Sequence, residues 1–334
     1  MKKIFLKIRS ILSALLVLAA SAAGLSCSTE GNIQQILGTT VQAPVFLDCR
    51  AISPTDIVFT FSTPVDVVSF HSDTALEADS VSRGEEVVVS FKEPLDAGVK
   101  IIADLVVEDS GRNSLNVIVP FRARNDRIPA LVFNELRTEY AKPRVEFVEF
   151  YTPEAGNLGA LRLFIAGHSL TKPVYEFAPM EVKAGEYIVL HLRSIDEGCI
   201  DETGDDLSLS FAPDAHNSAR DLWISGSVKM LRKTDALWLL DQDDRIIDAV
   251  LLCENPAAGW GSNKNIPPAV EYLSRLGAWL PNPADAVATG AATATRTVSR
   301  DEDIAPERLR ENWYITATSS ATPGAKNSTK RYAQ

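Results

Sequence analysis

Three stretches of this chain indicate which fold it adopts: Leu131–Leu136 (LVFNEL), Val145–Tyr151 (VEFVEFY) and, near the end, Thr322–Asn327 (TPGAKN). The first two are short runs rich in branched and aromatic residues, which is typical of β-strands. The third places Pro323 beside Gly324, a pair that ends regular structure because proline fixes φ and glycine frees it. We therefore predict β-strands at 131–136 and 145–151, and a turn of the chain at Pro323 and Gly324.

Further motifs follow in a fixed order between these ends: Gly185–Leu192, the hairpin-like Ala236–Val250, Ser299–Arg300 and Asn312–Trp313. With the two ends, this set resembles a bacterial lamin-tail domain, which is an immunoglobulin-like β-sandwich and a non-catalytic module. The resemblance implies a domain at 128–328, with insertions near 193–235 and 255–295. Prolines on both sides of 268–278 predict a helix within the second insertion. Insertions on a rigid β-scaffold either carry binding specificity or only cover sheet edges.

Residues 44–125 alternate apolar and polar side chains in short runs of about ten residues, which predicts a further all-β domain. Turns are expected at 62–64, 82–84 and 109–113. The order Phe59–Val65, Glu93–Leu95, Asp109–Asn113 is similar to bacterial immunoglobulin-like domains of the surface-layer and adhesin type. The predicted fold class is thus all-β, with two tandem immunoglobulin-like β-sandwiches, the second carrying loop and helix insertions.

The N-terminus has the order of an exported lipoprotein. Four basic residues precede an apolar stretch, Ile11–Leu25, and Cys27 follows. As a helix this stretch is about 22 Å long, which is shorter than the ~30 Å core of a bilayer. We predict a signal peptide at 1–26, an acylated Cys27 and a polar tether at 27–43. The alternative is a plain secreted protein in which Cys27 is incidental.

The formal net charge is −11, and removal of residues 1–26 takes away four basic residues and no acidic ones, which leaves −15. Such a charge repels phosphate backbones, so nucleic acid is excluded as an expected partner. The expected partners are the membrane, through the lipid anchor, and a protein or glycan ligand of unknown identity. The expected location is the cell envelope, at the outer membrane and periplasm or at the cell surface.

Three cysteines remain once Cys27 is lipidated. Cys199 and Cys253 lie in the same predicted domain, each just after a strand-like run, and export permits disulfides. We therefore predict a bridge between Cys199 and Cys253, with Cys49 as a buried thiol. The spacing of the cysteines and histidines predicts no metal site.

Candidate chemistry is sparse. Glu135, Glu146 and Glu149 could form an acid–base pair, but the lamin-tail resemblance implies a scaffold role for them. The acidic loop 196–206 has the oxygen ligands that calcium prefers without the EF-hand order, so calcium and a solvated loop both stay open. Trp260 and Trp279 fall in the second insertion as candidate binding residues, with core packing as the alternative.

We predict no catalytic residue, no metal and no cofactor. The expected function is a lipid-anchored, non-enzymatic envelope protein that acts as a binding, adhesion or structural module. The alternative is a carbohydrate-binding or accessory protein of a secreted hydrolase system.

Overall fold

The computed structural model describes residues 43–74, 77–195, 197–304 and 307–333. The predicted signal peptide, Cys27 and residues 28–42 of the predicted tether lie outside these ranges. The chain divides into two compact units, one holding 56–92 and 102–121 together with residues up to 50, the other holding 51–55, 93–101 and 122–334. Within the described ranges, no helix is long and apolar enough to cross a membrane.

The described residues of the first unit form six strands: β1 (Phe46–Ala51), β2 (Asp56–Ser72), β3 (Ala78–Val81), β4 (Gly84–Phe91), β5 (Lys100–Asp109) and β6 (Ser114–Arg122). They form one sheet in the order β3-β4-β2-β5-β6, and β1 also pairs with β2. The period of two is visible in β4, where Val87, Val89 and Phe91 are buried between more exposed neighbours. Alternation therefore predicted β4 and β5 correctly, because successive side chains of a strand point to opposite faces.

The longest strand, β2, runs through a stretch predicted as a turn. Ser62, Thr63 and Pro64 lie within it. The part before them pairs with β4 and the part after them with β5, with a register shift between Thr60 and Val65. Pro64 has no N–H to give to a ladder, so it is tolerated where the strand changes partners. The predicted turn is wrong because the chain changes partner here and does not reverse.

The described residues of the second unit form thirteen strands and one α-helix. The strands are β7 (Val132–Arg137), β8 (Phe147–Tyr151), β9 (Gly156–Asn157), β10 (Arg162–Ile165), β11 (Tyr175–Glu176), β12 (Glu181–Val182), β13 (Tyr187–His191), β14 (Arg220–Trp223), β15 (Asp235–Leu240), β16 (Ile246–Cys253), β17 (Val287–Ala288), β18 (Val298–Arg300) and β19 (Trp313–Ile315). The helix is α1 (Ile266–Arg275), and short 3₁₀ turns cover Pro256–Ala258, Pro283–Asp285 and Arg310–Asn312.

These strands form two large sheets, in the orders β14-β13-β8-β7-β18-β19 and β11-β10-β15-β16-β17, and the small pair β12-β9. Both large sheets contribute to one apolar cluster, for example through Phe133 and Phe150 from one and Leu237 and Leu251 from the other. Helix α1 adds Leu273 to the same cluster. The second unit is therefore organised around one core shared by two sheets.

Several predicted elements of the second unit are confirmed. The hairpin β15–β16 turns at Asp241–Arg245, where Asp241 accepts hydrogen bonds from the Asp243 and Arg245 backbone N–H groups. Helix α1 begins two residues before the predicted start and ends three before the predicted end. Proline is tolerated in its first turn because those N–H groups have no intrahelical partner.

The insertion 193–235 was predicted as loop, yet it contains β14. This strand pairs in parallel with β13, from Ile188↔Arg220 to His191↔Trp223. All four residues of β14 are buried, including Arg220 and Asp221. A four-residue strand with charges on both faces has no apolar alternation, so its sequence indicates no strand.

Candidate functional site

The terminal motif Thr322–Asn327, here called the clasp, binds two carboxylates on neighbouring strands. The Thr322 backbone N–H donates to Glu135 over 3.0 Å, and the Gly324 backbone N–H donates to Glu149 over 2.6 Å. Glu135 and Glu149 face each other in the β7–β8 register and are fully buried. The clasp thus joins the end of the chain to the two strands that open the second unit.

Asn327 and Gly324 fix the path of the clasp. The Asn327 side-chain amide donates to the Asn134 side chain over 3.0 Å and to the Arg300 carbonyl over 2.9 Å. Gly324 has a φ of 81°, and a Cβ there would lie 2.5 Å from His216 Cβ. Only glycine fits this left-handed position under the neighbouring loop. These contacts support a closing role for the motif in the second domain, which stays a prediction.

Burial controls the ionisation of these acids. It raises the pKa of Glu135, and it raises the pKa of Glu149 well above the ordinary range, where the nearby Glu135 charge adds to the effect. Hydrogen bonds to Glu135 from Thr297 and Thr322, and to Glu149 from Gly324, act in the opposite direction. The third acid, Glu146, accepts two hydrogen bonds from Arg193, one from Nε and one from Nη2, each over 2.6 Å. The three acids hold the scaffold together through contacts with its own groups.

A second buried polar cluster surrounds His191, which the sequence analysis did not single out. His191 Nε2 lies 2.6 Å from Asp221 Oδ1, and its ring stacks on Trp223 with centroids 3.6 Å apart. The Asp221 backbone N–H donates to Glu202. His191 and Asp221 are fully buried, so a ligand from solvent does not reach them. The pair joins a residue of β13 to a residue of β14, and it is not predictable from local sequence because β14 itself has no strand pattern.

The second unit has an open cleft of about 680 Å³, here called the Trp260 cleft. Its lining includes Tyr140, Lys229, Arg232, Trp260, Asn263 and Thr293. Trp260 is half-buried, with part of its surface against the apolar core. The volume falls within the range of small-molecule sites, and the cleft offers an aromatic surface together with several polar groups.

Charged residues of the cleft differ in how they are paired. Lys229 contacts both carboxylate oxygens of Glu139, at 3.0 and 2.9 Å. Lys233 lies 3.5 Å from Glu254. The guanidinium of Arg232 donates to the Gly167 carbonyl over 2.9 Å and, among the described residues, lies within 4.0 Å of no carboxylate. Three basic residues within Lys229–Lys233, in an otherwise acidic chain, were the available sequence signal for this site.

Of the two tryptophans predicted as binding residues, only Trp260 lies in the cleft. Trp279 is 5% exposed, belongs to the apolar core and donates its indole N–H to the Asp285 carbonyl over 3.1 Å. The assignment of Trp279 as a binding residue is therefore wrong. Helix α1 and the 3₁₀ turn at Pro283–Asp285 enclose it, which residue type alone does not show.

The predicted Cys199–Cys253 bridge is not formed, because both residues are free thiols. Cys253 ends β16 in the main core, and its Sγ lies 3.5 Å from the Gly259 carbonyl oxygen. Cys199 packs in a separate small cluster with Ala212 and Trp223. Cys253 is the last residue of β16, whereas Cys199 comes after β13, a strand of the other large sheet, so their similar sequence context did not place them together. Cys49 is also a free thiol, and burial raises its pKa to about 12.

Three carboxylates of the acidic loop accept hydrogen bonds from residues that follow the loop in the chain. Glu202 accepts the backbone N–H groups of Leu209 and Ser210, and Asp201 accepts that of Trp223. Asp206 accepts from Ser208. Asp196 lies outside the described residues. Within the described ranges, no three His, Cys, Asp or Glu side chains are grouped so that they could hold a metal ion.

The chain belongs to the family described as "protein second domain", whose model matches residues 129–315. It is similar to an uncharacterized protein of Treponema pallidum (strain Nichols), with 28% identity over 199 residues, 58% of this chain and 50% of the relative. The chain thus spans about half the length of that curated relative. The family description does not mention a lamin-tail domain, so that resemblance stays a prediction.

Two solved structures show low similarity. The N-terminal part of the bacterial S-layer protein SbsC matches at 15% identity and a TM-score of 0.25, over 63% of this chain and 44% of that one. The YadV chaperone matches at 10% identity and a TM-score of 0.25, over 63% of this chain and 100% of that one. Matches at this TM-score establish neither a shared fold nor a shared function.

Proposed function

We propose that this protein is a non-enzymatic binding module of the cell envelope, anchored by a lipid on Cys27 and built from two immunoglobulin-like β-sandwiches. The lamin-tail resemblance of the second domain supports a non-catalytic role. The buried acids Glu135, Glu146 and Glu149 support it further, because their oxygens contact the clasp, neighbouring side chains and Arg193. Acids held in this way stabilise a scaffold and do not face a substrate.

The Trp260 cleft is the observation that carries the binding role. It is open to solvent, has a volume of about 680 Å³, and presents Trp260 beside amide and hydroxyl side chains such as Asn263 and Thr293. An aromatic face packs against the C–H face of a sugar ring, while amides and hydroxyls hydrogen bond to its hydroxyl groups. This combination favours a glycan over a flat protein surface as the ligand.

Substitution Trp260→Ala tests this proposal. The variant removes the aromatic wall, and we expect its signal on a glycan array to fall at least about tenfold, because a desolvated aromatic contact is worth about 1.4 kcal/mol or more. The matched control is Phe211→Ala, which removes a ring that is 73% exposed and lies outside the cleft lining. Equal array signals for wild type, Trp260→Ala and Phe211→Ala would contradict glycan binding at the cleft.

The lipid anchor requires a separate test, by mass spectrometry of the mature N-terminus. We expect a chain that begins at Cys27 and carries the added mass of acyl chains, because a basic region, an apolar region and a cysteine follow one another. Two or three acyl chains hold a protein stably in a membrane, whereas one is marginal. An unmodified chain that begins near Ala23, or one that retains residues 1–26, would rule out the anchor.

A further inference from the structure

We propose that the Trp260 cleft selects acidic saccharides, with Arg232 binding the carboxylate of the sugar while Trp260 stacks on its ring. This inference rests on the proposed function, because it names the ligand class of the same cleft. Its basis is the pairing of charges around the cleft and the environment of one guanidinium.

The charge balance of the cleft lining differs from that of the chain. The lining holds three basic residues, Lys229, Arg232 and Lys233, and two acidic ones, Glu139 and Glu254. The chain as a whole has a formal net charge of −11. A locally basic cleft on an acidic protein attracts an anionic ligand to this place and leaves the rest of the surface repulsive to it.

Two of the three cations already have partners. Lys229 is held between the two oxygens of Glu139, and Lys233 donates to the Gly290 carbonyl over 3.2 Å and lies 3.5 Å from Glu254. Their positive charge is therefore largely compensated within the cleft. Arg232 is the cation that remains.

Arg232 is exposed and held in position at both ends. Its backbone N–H donates to Asp235 Oδ2 over 3.2 Å, and one guanidinium nitrogen donates to the Gly167 carbonyl over 2.9 Å. These contacts orient the side chain and leave further N–H donors of the planar fork for a ligand. A guanidinium fork matches the two oxygens of a carboxylate, which a lysine ammonium does not.

Asp235 is the acid behind Arg232, and its oxygens are directed to the backbone. It is fully buried and accepts the N–H groups of Gly167, Ala236 and Arg232 itself. Burial raises the pKa of Asp235 to about 7, so near neutral pH its carboxyl group carries only part of a negative charge. Arg232 is thus fixed by Asp235 without being fully neutralised by it.

The test compares acidic and neutral sugars that share a ring. Binding of galacturonate and glucuronate oligomers is measured by titration calorimetry beside galactose and glucose oligomers of equal length. We expect each acidic oligomer to bind at least about tenfold more tightly than its neutral counterpart, since a hydrogen bond between two charged groups is stronger than one between neutral groups. Raising the salt concentration should reduce this preference.

Substitution Arg232→Gln should remove that preference. We expect the affinity for the acidic oligomers to fall at least tenfold and the affinity for the neutral ones to change less than twofold. Arg232→Lys keeps the charge without the fork and should lose part of the preference. Arg245→Gln is the matched control, because Arg245 is 74% exposed and lies outside the cleft lining. Thermal unfolding of each variant verifies that it is folded. If Arg232→Gln is not folded, the comparison is made with Arg232→Lys.

The outcomes separate this inference from the proposed function. If neutral oligomers bind as tightly as acidic ones and Trp260→Ala weakens the binding of both, the selectivity is wrong and glycan binding at the cleft stands. Acidic binding that Arg232→Gln and Arg232→Lys do not change overturns the role of Arg232. Failure of every oligomer to bind overturns both the inference and the glycan proposal.

Discussion

Truncation of the chain before Glu311 is expected to abolish cooperative unfolding of the second unit. The deletion removes β19 and with it Trp313, which belongs to the apolar core. It also removes the clasp, so that Glu135 and Glu149 lose the backbone donors of Thr322 and Gly324. Buried carboxylates that lose part of their donors destabilise the fold, although Thr297 still donates to Glu135 and Asn134 to Glu149. The exposed edge of β18 adds a site for aggregation. Urea unfolding followed by tryptophan fluorescence and by circular dichroism measures the change.

A truncation after Asn327 is the control, since it keeps β19 and the clasp. It removes residues 330–332, which pair with the chain at the edge of β19 and just after it. The Tyr332 N–H donates to the Ile315 carbonyl over 2.8 Å, and Arg331 pairs with Asp301. We therefore expect a loss of about 1–2 kcal/mol with cooperativity retained. Identical unfolding of the full chain and the Glu311 truncation would show that the clasp does not close the second unit.

Substitution Asp235→Asn is expected to change how the free energy of unfolding depends on pH. Burial raises the pKa of Asp235 from 3.8 to about 7, while the unfolded chain keeps the ordinary value. Between these values the folded state holds a proton that the unfolded state has released, so the wild-type protein loses stability as the pH rises. The loss amounts to about 1.4 kcal/mol per pH unit and about 4 kcal/mol in total. Asparagine does not titrate, so the variant lacks this loss.

The measured quantity is the difference in unfolding free energy between Asp235→Asn and wild type, taken from urea unfolding at several pH values from 3.5 to 8. The substitution itself changes the free energy of unfolding by an amount that does not depend on pH, and this amount cancels when the differences are compared. We expect the stability of the variant relative to wild type to increase as the pH rises. Asp206→Asn is the control of opposite sign, because hydrogen bonds from Ser208 lower the pKa of Asp206. A difference that stays constant with pH would disprove the assigned ionisation of Asp235.

Part of the Trp260 cleft was visible in the sequence. Trp260 was predicted as a binding residue because it is an aromatic residue in an insertion. The basic run Lys229–Lys233 is unusual in an acidic chain, but no site was predicted from it. Trp279 had the same residue type and the same insertion, yet it is buried and Trp260 lines a cleft. Residue type indicates what a side chain could bind, whereas exposure depends on which elements pack over it.

The sequence by itself determined the regular strands, the β15–β16 hairpin and the position of α1, because local alternation, turn residues and proline position act over a few neighbouring residues. Tertiary structure decided the pairings between distant residues. The clasp reaches Glu135 and Glu149, β14 lies parallel to β13, and Cys199 and Cys253 are held in different clusters. These contacts form between buried groups, and burial is a property of the assembled sheets. Partners within the assembled fold allow a charged residue such as Asp221 to lie in a strand that has no apolar alternation.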